Sequence, residues 1–216
     1  MSQPFWEKAY TDLATPAIRD GVPSQEIREV AARLPMAARV LDLGCGEGRN
    51  ALFLAECGFR VTAVDISETG IRKLNVLARE RRIDIRSEVA DMHTYHFPGL
   101  FDLIVSHGCL HLVEREFWQQ LIPRFKAYTK PGGFNVVVVF TNTLPPPEDL
   151  KEFCLGLFRE KEVFSMYSDW EVVLQKSYII QDQHPGSPPH THPINKLVAR
   201  KPSNTLVHRT VKNRRR

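Results

Sequence analysis

The run from Val40 to Asn50 constrains the fold more than any other part of this chain. It reads Val-Leu-Asp-Leu-Gly-Cys-Gly-Glu-Gly-Arg-Asn, so an apolar strand pattern ends in a glycine-rich turn and a helical pattern follows. Glycine has no Cβ atom, which lets the backbone bend sharply and lets a ligand approach the main chain. The run therefore predicts a strand–turn–helix unit with a ligand bound at the turn.

The chain continues as alternating strand and helix patterns. Apolar periodicity predicts strands at 39–43, 59–64, 83–89, 101–106 and 133–140, and helices at 49–57, 67–80 and 114–128. The last of these helices is expected to stop at Pro131 and Gly132. This alternation predicts a parallel sheet with helices on both faces, whose ligands bind at the carboxyl ends of the strands.

The remaining segments predict how the domain is completed. Residues 1–38 predict helical structure in which Ser24 caps an amphipathic helix. Three prolines at 145–147 break the pattern, and a segment that is helical in its first part follows. Strand patterns at 170–180 and 194–200 then predict a closing antiparallel hairpin. We expect an α/β fold, a Rossmann-like doubly wound sheet of seven strands with the last strand antiparallel.

Composition and charge exclude several classes of protein. The chain has 216 residues, 43% hydrophobic and 25% charged, which is typical of one soluble globular domain. The net charge of +4 owes much to residues 212–216, so it does not favour a nucleic-acid partner. The four cysteines form no Cys-x-x-Cys pair. Free thiols, with no apolar signal or membrane-length run, predict a cytoplasmic protein without a membrane partner.

The glycine-rich turn is compatible with two classes of cofactor. A dinucleotide loop follows the pattern Gly-x-Gly-x-x-Gly, but Arg49 stands where the third glycine is expected. Residues 42–46 form Asp-x-Gly-x-Gly instead, which resembles motif I of class I methyltransferases. The resemblance implies S-adenosylmethionine as the cofactor, whose ammonium Asp42 and the backbone carbonyl of Gly44 can receive. A tight turn without a ligand is the alternative.

Acidic residues follow the next two predicted strands. Asp65 ends the second strand, where a carboxylate can accept both ribose hydroxyls, although it could also be a helix N-cap. Ile66 would then lie against the adenine. The family resemblance implies that Asp91 accepts the adenine amine, with Met92 packed against the ring edge, although Asp91 could be a solvated loop residue. Further candidate cofactor contacts are Trp6, Tyr10, Cys45, Asn50 and, at the end of the fourth strand, Ser106.

Several further motifs resemble the tellurite-resistance methyltransferases of the TehB type, over roughly residues 5–201. Together with motif I they are Tyr-Thr-Lys-Pro-Gly-Gly-Phe-Asn at 128–135, Phe-Arg-Glu-Lys-Glu-Val at 158–163, Tyr-Ser-Asp-Trp-Glu at 167–171 and Leu-Val-Ala-Arg-Lys at 197–201. The resemblance implies a small soft or anionic acceptor, such as an oxyanion of tellurium or selenium, or a small thiol. We expect a single methyltransferase domain at residues 1–201. It consists of a helical cap at 1–38, a cofactor-binding half at 39–140 and a substrate-side half at 141–201, and a basic disordered tail at 202–216 follows it.

Histidines are the candidate catalytic residues. His184 matches a histidine of the family, whereas Pro185 stands where the family has an arginine. A histidine can assist an anionic acceptor as a cation, or an oxygen or nitrogen acceptor as a base. We therefore expect His184, His192 and His107 near the acceptor. Ordinary polar loop residues, or a zinc or nickel site that includes His190, are the alternatives.

Three other classes of function stay open at this point. A cofactor-binding protein without catalysis requires only the glycine-rich turn. RNA methylation would use the basic residues at 214–216. A dehydrogenase would need the dinucleotide loop that Arg49 interrupts. His111 is expected to start the helix that follows the fourth strand, and the N-terminal helix that carries Trp6 and Tyr10 is expected to cover the cofactor or to pack on the sheet.

Overall fold

The computed structural model describes residues 5–12, 21–148, 150–182 and 189–203. Seven strands form one sheet in the order β3-β2-β1-β4-β5-β7-β6. Their bounds are β1 Arg39–Leu43, β2 Arg60–Asp65, β3 Arg86–Val89, β4 Phe101–His107, β5 Thr129–Phe140, β6 Glu171–Asp182 and β7 His190–Arg200. Strands β1 to β5 are parallel, and β7 runs antiparallel to both β5 and β6. The predicted fold class is confirmed.

Six helices and two short 3₁₀ turns accompany the strands in the described part of the chain. The helices are α1 Phe5–Thr11, α2 Gln25–Ala31, α3 Arg49–Glu56, α4 Glu68–Glu80, α5 Arg115–Tyr128 and α6 Glu162–Ser165. The 3₁₀ turns lie at Leu110–Leu112 and Lys151–Phe153. The helical structure expected in the first part of the segment after the three prolines is the 3₁₀ turn at Lys151–Phe153.

The sheet separates two apolar cores because side chains alternate along each strand. Leu41 and Leu43 of β1 pack into one core with Trp118 and Phe125 of α5, while Val40 packs into the other with Leu54 of α3 and Ile27 of α2. All of these side chains are buried. Helices cover both faces, as is usual for a parallel sheet, and this leaves the carboxyl ends of the strands as the open edge.

Ser67 and Ser24 differ in what they do at the start of a helix. The hydroxyl of Ser67 accepts a hydrogen bond from the backbone N–H of Gly70 at 2.9 Å and so caps α4. Ser24 stands at the N-cap of α2 but makes no side-chain capping bond. Its hydroxyl is 2.9 Å from His107 Nε2 and accepts from Arg49 at 2.9 Å. The predicted cap was wrong because tertiary partners compete for that hydroxyl.

Strand β5 begins four residues earlier than the glycines suggest. It starts at Thr129, directly after α5, and includes Pro131 and Gly132. The pairing with β4 shifts register between Phe101 and Leu103, so Thr129 and Phe134 pair with nearly adjacent residues of β4. Proline in a strand is tolerated at such an irregularity. Strand β3 is shorter than predicted, since residues 83–85 do not join the sheet.

Candidate active site

A cavity of about 350 Å³ opens at the carboxyl ends of the strands. It extends from the glycine-rich turn to the strands that follow residue 140. Most of the predicted cofactor residues line it, namely Trp6, Tyr10, Asp42, Gly44, Cys45, Gly46, Asn50, Asp65, Ile66, Asp91 and Met92. The predicted catalytic residues His107 and His192 line the same cavity. The topology thus brings both sets of side chains into one site.

The glycines of the turn are required by what packs against them. Gly44 and Gly46 have backbone φ angles of 79° and 57°, which residues other than glycine rarely adopt. A Cβ atom on Gly44 would lie 2.3 Å from Cys109 Sγ, and one on Gly46 would lie 2.4 Å from Tyr10 Oη. The turn is therefore held between the Cys109 thiol beneath it and the buried Tyr10 ring of α1.

Asp65 ties the glycine turn to the start of α4. One carboxylate oxygen accepts from the Gly46 N–H at 2.7 Å, and the other accepts from the Ser67 N–H at 2.9 Å. Burial raises the pKa of Asp65 despite these bonds. Each oxygen keeps a lone pair for a further donor, and the carboxylate faces the cavity. The position suits a pair of ribose hydroxyls.

Asp42 holds a buried carboxylate with an unused acceptor. Its Oδ2 has no hydrogen-bond partner among the residues that the structure describes. Burial, with a smaller contribution from Asp65, outweighs the nearby Arg49 and raises the pKa of Asp42 to about 7. A buried acceptor without a partner is costly in a protein, and an ammonium group placed in the cavity would satisfy it. The unpartnered Asp42 carboxylate therefore fits the methionine end of S-adenosylmethionine, which carries the ammonium group.

The residues predicted to contact the adenine, Asp91, Met92 and Ile66, all line the cavity. Asp91 Oδ1 accepts from the backbone N–H of His93 at 2.9 Å and lies 2.7 Å from its ring Nδ1. Burial is the largest single influence on the pKa of Asp91 and raises it, but the hydrogen bonds and charge interaction with His93 together outweigh burial, so the pKa is lowered. Ile66 is 59% exposed at the rim, which leaves its side chain available to a flat ring. His93 also lines the cavity and was missed from the sequence.

A stack of rings forms part of the opposite wall. Phe140 lies between His111, with ring centroids 4.1 Å apart, and His192, at 4.4 Å. His111 was expected to start α5, which was wrong, since it lies in the 3₁₀ turn before that helix and is buried. Burial lowers the pKa of His111 to about 3, with a contribution from His192. His111 therefore stays neutral and packs as an aromatic ring.

His107 belongs to a polar cluster that the sequence did not predict. Its Nε2 lies 3.0 Å from Glu26 Oε1, and Glu26 Oε2 accepts from the Lys196 ammonium at 2.7 Å. Glu26 is 1% exposed, so this carboxylate is buried. Lys196 could have been found, because it alternates with Ile194 and His192 along β7 and so lies on the same face.

Three further predictions have different outcomes. Ser106, a predicted cofactor contact, is not among the residues that line the cavity, and its buried hydroxyl lies 3.2 Å from Cys109 Sγ. His184 and Pro185 lie outside the described residues, as does the tail at 204–216. His190 pairs with Asp182 across the β6–β7 hairpin and does not line the cavity.

Helix α1 contributes Trp6 and Tyr10 to the cavity wall. Trp6 contacts Phe153 edge to face, with ring centroids 5.4 Å apart, so α1 and the 3₁₀ turn at Lys151–Phe153 approach each other across the opening. Burial raises the pKa of Tyr10 well above its usual value, with Asp65 the next contribution. The two aromatic residues therefore both pack on the domain and face the site.

None of the described helices is long and apolar enough to cross a membrane. Across residues 5–12, 21–148, 150–182 and 189–203, no three His, Cys, Asp or Glu side chains gather closely enough to hold a metal ion.

The fold and the cavity define the class of S-adenosylmethionine-dependent methyltransferases. A family model described as tellurite resistance protein TehB matches residues 22–182. The chain belongs to this TehB family. The family predicted from the sequence is thereby confirmed, and relatives named as S-adenosyl-L-methionine-dependent methyltransferases confirm the predicted cofactor.

Individual relatives agree with this family. The Haemophilus influenzae protein named "Probable S-adenosyl-L-methionine-dependent methyltransferase TehB" is 34% identical over 141 residues, 65% of this chain and 49% of that protein. The crystal structure of TehB from Haemophilus influenzae superposes with a TM-score of 0.74 at 26% identity, over 82% of this chain and 62% of that one. A Mycobacteroides abscessus protein named 2-heptyl-1-hydroxyquinolin-4(1H)-one methyltransferase is 33% identical over 140 residues, 62% of this chain and 60% of that protein. The chain spans about half the length of the curated TehB relatives that it matches.

Proposed function

We propose that this protein transfers the methyl group of S-adenosylmethionine to a small-molecule acceptor. The observation that carries the proposal is the single cavity that joins the glycine turn to the wall formed by Phe140, His107 and His192. Methyl transfer is a displacement at carbon, so positioning two reactants in one enclosed site supplies much of the catalysis. Asp42 and Asp65 hold the cofactor, and the histidines face the acceptor.

The acceptor wall favours a small, mainly apolar molecule over an oxyanion of tellurium or selenium. Phe140, Ile180 and Ile194 line it, and the Lys196 ammonium is already 2.7 Å from the Glu26 carboxylate. An oxyanion would need cationic or N–H donors that remain available to it. The relative named for a hydroxyquinolone substrate supports an O- or N-methyltransferase of this kind. Small thiols, tellurite and selenite remain acceptors to be screened.

Calorimetric titration tests the cofactor assignment. We expect the protein to bind S-adenosylhomocysteine and not NAD. Asp65→Ala should weaken that binding by about 1–3 kcal/mol, because the ribose hydroxyls lose their acceptor. Glu68→Ala is a matched control, since Glu68 is an exposed carboxylate at the start of α4 that does not line the cavity. Binding of NAD alone would return the turn to the dehydrogenase interpretation.

A methyl-transfer assay separates catalysis from binding without turnover. The acceptors are 2-heptyl-1-hydroxyquinolin-4(1H)-one, a small thiol, tellurite and selenite, each with labelled S-adenosylmethionine. Transfer to the quinolone above the tellurite rate would support the proposed acceptor preference. Tight cofactor binding with no transfer to any of the four would favour a cofactor-binding protein without catalysis.

A further inference from the structure

The Glu26 carboxylate joins two strands of the sheet, β4 and β7, across the strand β5 that lies between them. His107 of β4 pairs with Val138 of β5, and Val138 pairs with Lys196 of β7, so the three lie in one row. Neighbouring strands are about 4.8 Å apart, which puts the outer two about 10 Å apart. Glu26 of α2 spans that distance, with Oε1 3.0 Å from His107 Nε2 and Oε2 2.7 Å from Lys196 Nζ.

The partners of Glu26 determine which nitrogen of His107 carries the proton. His107 Nε2 lies within hydrogen-bond distance of both Glu26 Oε1 and the Ser24 hydroxyl, at 3.0 and 2.9 Å. The carboxylate can only accept, so Nε2 carries the proton, and the Ser24 hydroxyl can accept from the same N–H. The pKa of Glu26 falls to about 2, because the bonds from His107 and Lys196 outweigh the effect of burial, and the carboxylate is therefore ionised at neutral pH. Burial lowers the pKa of His107, which keeps the ring neutral. Neutral His107 then has its lone pair on Nδ1, to which no described residue hydrogen-bonds.

The surroundings of this ring suit a base. The His107 side chain is 17% exposed and forms part of the cavity wall. The charged groups around it are Glu26, Lys196 and Arg49, which come from α2, β7 and α3. A buried carboxylate behind a histidine fixes the tautomer and stabilises the imidazolium that forms when the ring takes a proton. The established family signatures at 128–135 and 158–163 include neither Glu26 nor His107.

We propose that His107 is the general base for an acceptor that carries a weakly acidic O–H or N–H, and that Glu26 and Lys196 position it. This inference rests on the proposed methyl transfer. The acceptor heteroatom forms the new bond to the methyl carbon, while the electron pair of the broken carbon–sulfur bond stays on sulfur. The acceptor proton moves to His107 Nδ1. The positive charge that begins on sulfur thus ends on an imidazolium beside the Glu26 carboxylate.

Nitrogen NMR of the protein labelled at histidine tests the tautomer without any acceptor. At pH 7.5, with S-adenosylhomocysteine bound, His107 should carry its proton on Nε2 and none on Nδ1. Glu26→Gln should lower the pKa of His107, because the carboxylate that favours the imidazolium is gone. Glu29→Gln is the matched control, an exposed carboxylate one turn along α2, and should leave the His107 signals unchanged. A proton on Nδ1, or a His107 titration indifferent to Glu26→Gln, would overturn the proposal.

Two phenols of similar size test the base in turnover. 4-Methylphenol keeps its proton at pH 8 and needs a base, whereas 4-nitrophenol is largely ionised and does not. His107→Gln should reduce kcat for 4-methylphenol by about 100-fold or more and affect 4-nitrophenol far less. The acid limb of the rate for 4-methylphenol should move to lower pH in Glu26→Gln. Equal losses for both phenols would contradict the base assignment, and no methylation of either phenol would contradict the acceptor class.

Binding of S-adenosylhomocysteine separates the two failures. If His107→Gln and the wild-type protein bind it equally but the phenol rates do not differ, the base assignment fails and the methyltransferase assignment stands. If the wild-type protein does not bind it, the proposed function fails first.

Discussion

Asp42, which we propose receives the cofactor ammonium, would couple cofactor binding to proton release. Its carboxylate has a pKa of about 7, mainly because it is buried. A cation placed against it favours the ionised form and lowers that pKa. Binding of the cofactor ammonium at Asp42 would therefore change the number of protons bound by the protein near neutral pH, and this change can be measured.

We predict that binding of S-adenosylhomocysteine releases a proton near pH 6.5 and almost none at pH 8.5. Below the pKa of the free protein, Asp42 must lose its proton before it can receive the ammonium, so affinity falls by up to about tenfold for each pH unit. Calorimetry in two buffers with different heats of ionisation measures the proton count. Asp42→Asn should abolish the release that Asp42 causes. A release that survives in Asp42→Asn would assign it to another group, such as Asp65.

Individual residues also show where sequence reasoning succeeds and where it stops. Asp65 and Gly44 could be placed because strand ends and glycine turns have local signatures. The roles of Ser24 and Glu26 could not be, since their partners lie far away in the sequence and only the folded chain brings them together. Cys109 gave no signal either, although its thiol supports the glycine turn.

Two pieces of the family resemblance meet in the folded structure. The Tyr167 hydroxyl donates to Asn135 Oδ1 at 2.9 Å, and the amide of Asn135 donates to Thr129 Oγ1 at 2.7 Å. All three side chains are fully buried. The motifs at 128–135 and 167–171 are therefore joined by one buried hydrogen-bond network.

At the level of elements, Lys73 connects α4 to the glycine turn and to α1. Its ammonium lies 2.8 Å from Glu47 Oε2 in the turn and donates to the backbone carbonyl of Asp12 at 2.6 Å. The Lys73 and Glu47 side chains are only 1% and 4% exposed. This buried ion pair holds the turn against α4, on the side away from the sheet.

Lys73→Met should destabilise the protein by about 3–5 kcal/mol, because it leaves the buried Glu47 carboxylate without its ion-pair partner. Urea unfolding followed by circular dichroism measures the change. Adding Glu47→Gln to Lys73→Met should recover a large part of the loss. Arg72→Met, at an exposed position of the same helix, should change stability by no more than about 0.5 kcal/mol. A similar loss of stability in Lys73→Met and Arg72→Met would mean that the ion pair is not responsible.

Element boundaries were predictable where local chemistry decides them. Strand β1 and the start of α3 follow from the apolar run and the glycines. The start of β5 and the short β3 could not be predicted, because register against a neighbouring strand determines them. The β6–β7 hairpin was predicted from its alternation, but its strands extend further into the loop than the pattern indicated.

At the scale of the whole molecule, Glu26 joins the beginning of the described chain to its last strand. Its pKa is about 2 in the folded protein and would be about 4.3 in an unfolded chain. A depressed carboxyl pKa stabilises the fold fully above the unfolded value, and the contribution is lost as pH falls through the folded value. The cluster thus ties acid stability to the connection between α2, β4 and β7.

We predict that Glu26→Gln lowers the free energy of unfolding on the order of 3 kcal/mol between pH 5 and 7. The difference from the wild-type protein should shrink as pH falls from about 4.5 to 2, because the wild-type carboxylate becomes protonated there. Urea unfolding at a series of pH values measures it, with Glu29→Gln as the control. His107 titrates in both proteins, so the pH at which the two curves converge is the informative quantity. A constant difference down to pH 2 would contradict the prediction.

The Glu26 carboxylate should also constrain how sequences of this family evolve. The residues it joins, at 26, 107 and 196, are separated by as many as 170 positions. A change at Glu26 or Lys196 alone leaves the other charge without its ion-pair partner, so selection should favour replacing both residues together. In a hybrid gene that takes residues 1–140 from one parent and the remainder from another, positions 26 and 196 come from different parental sequences. Such recombinants should survive most often when both parents carry the same pair.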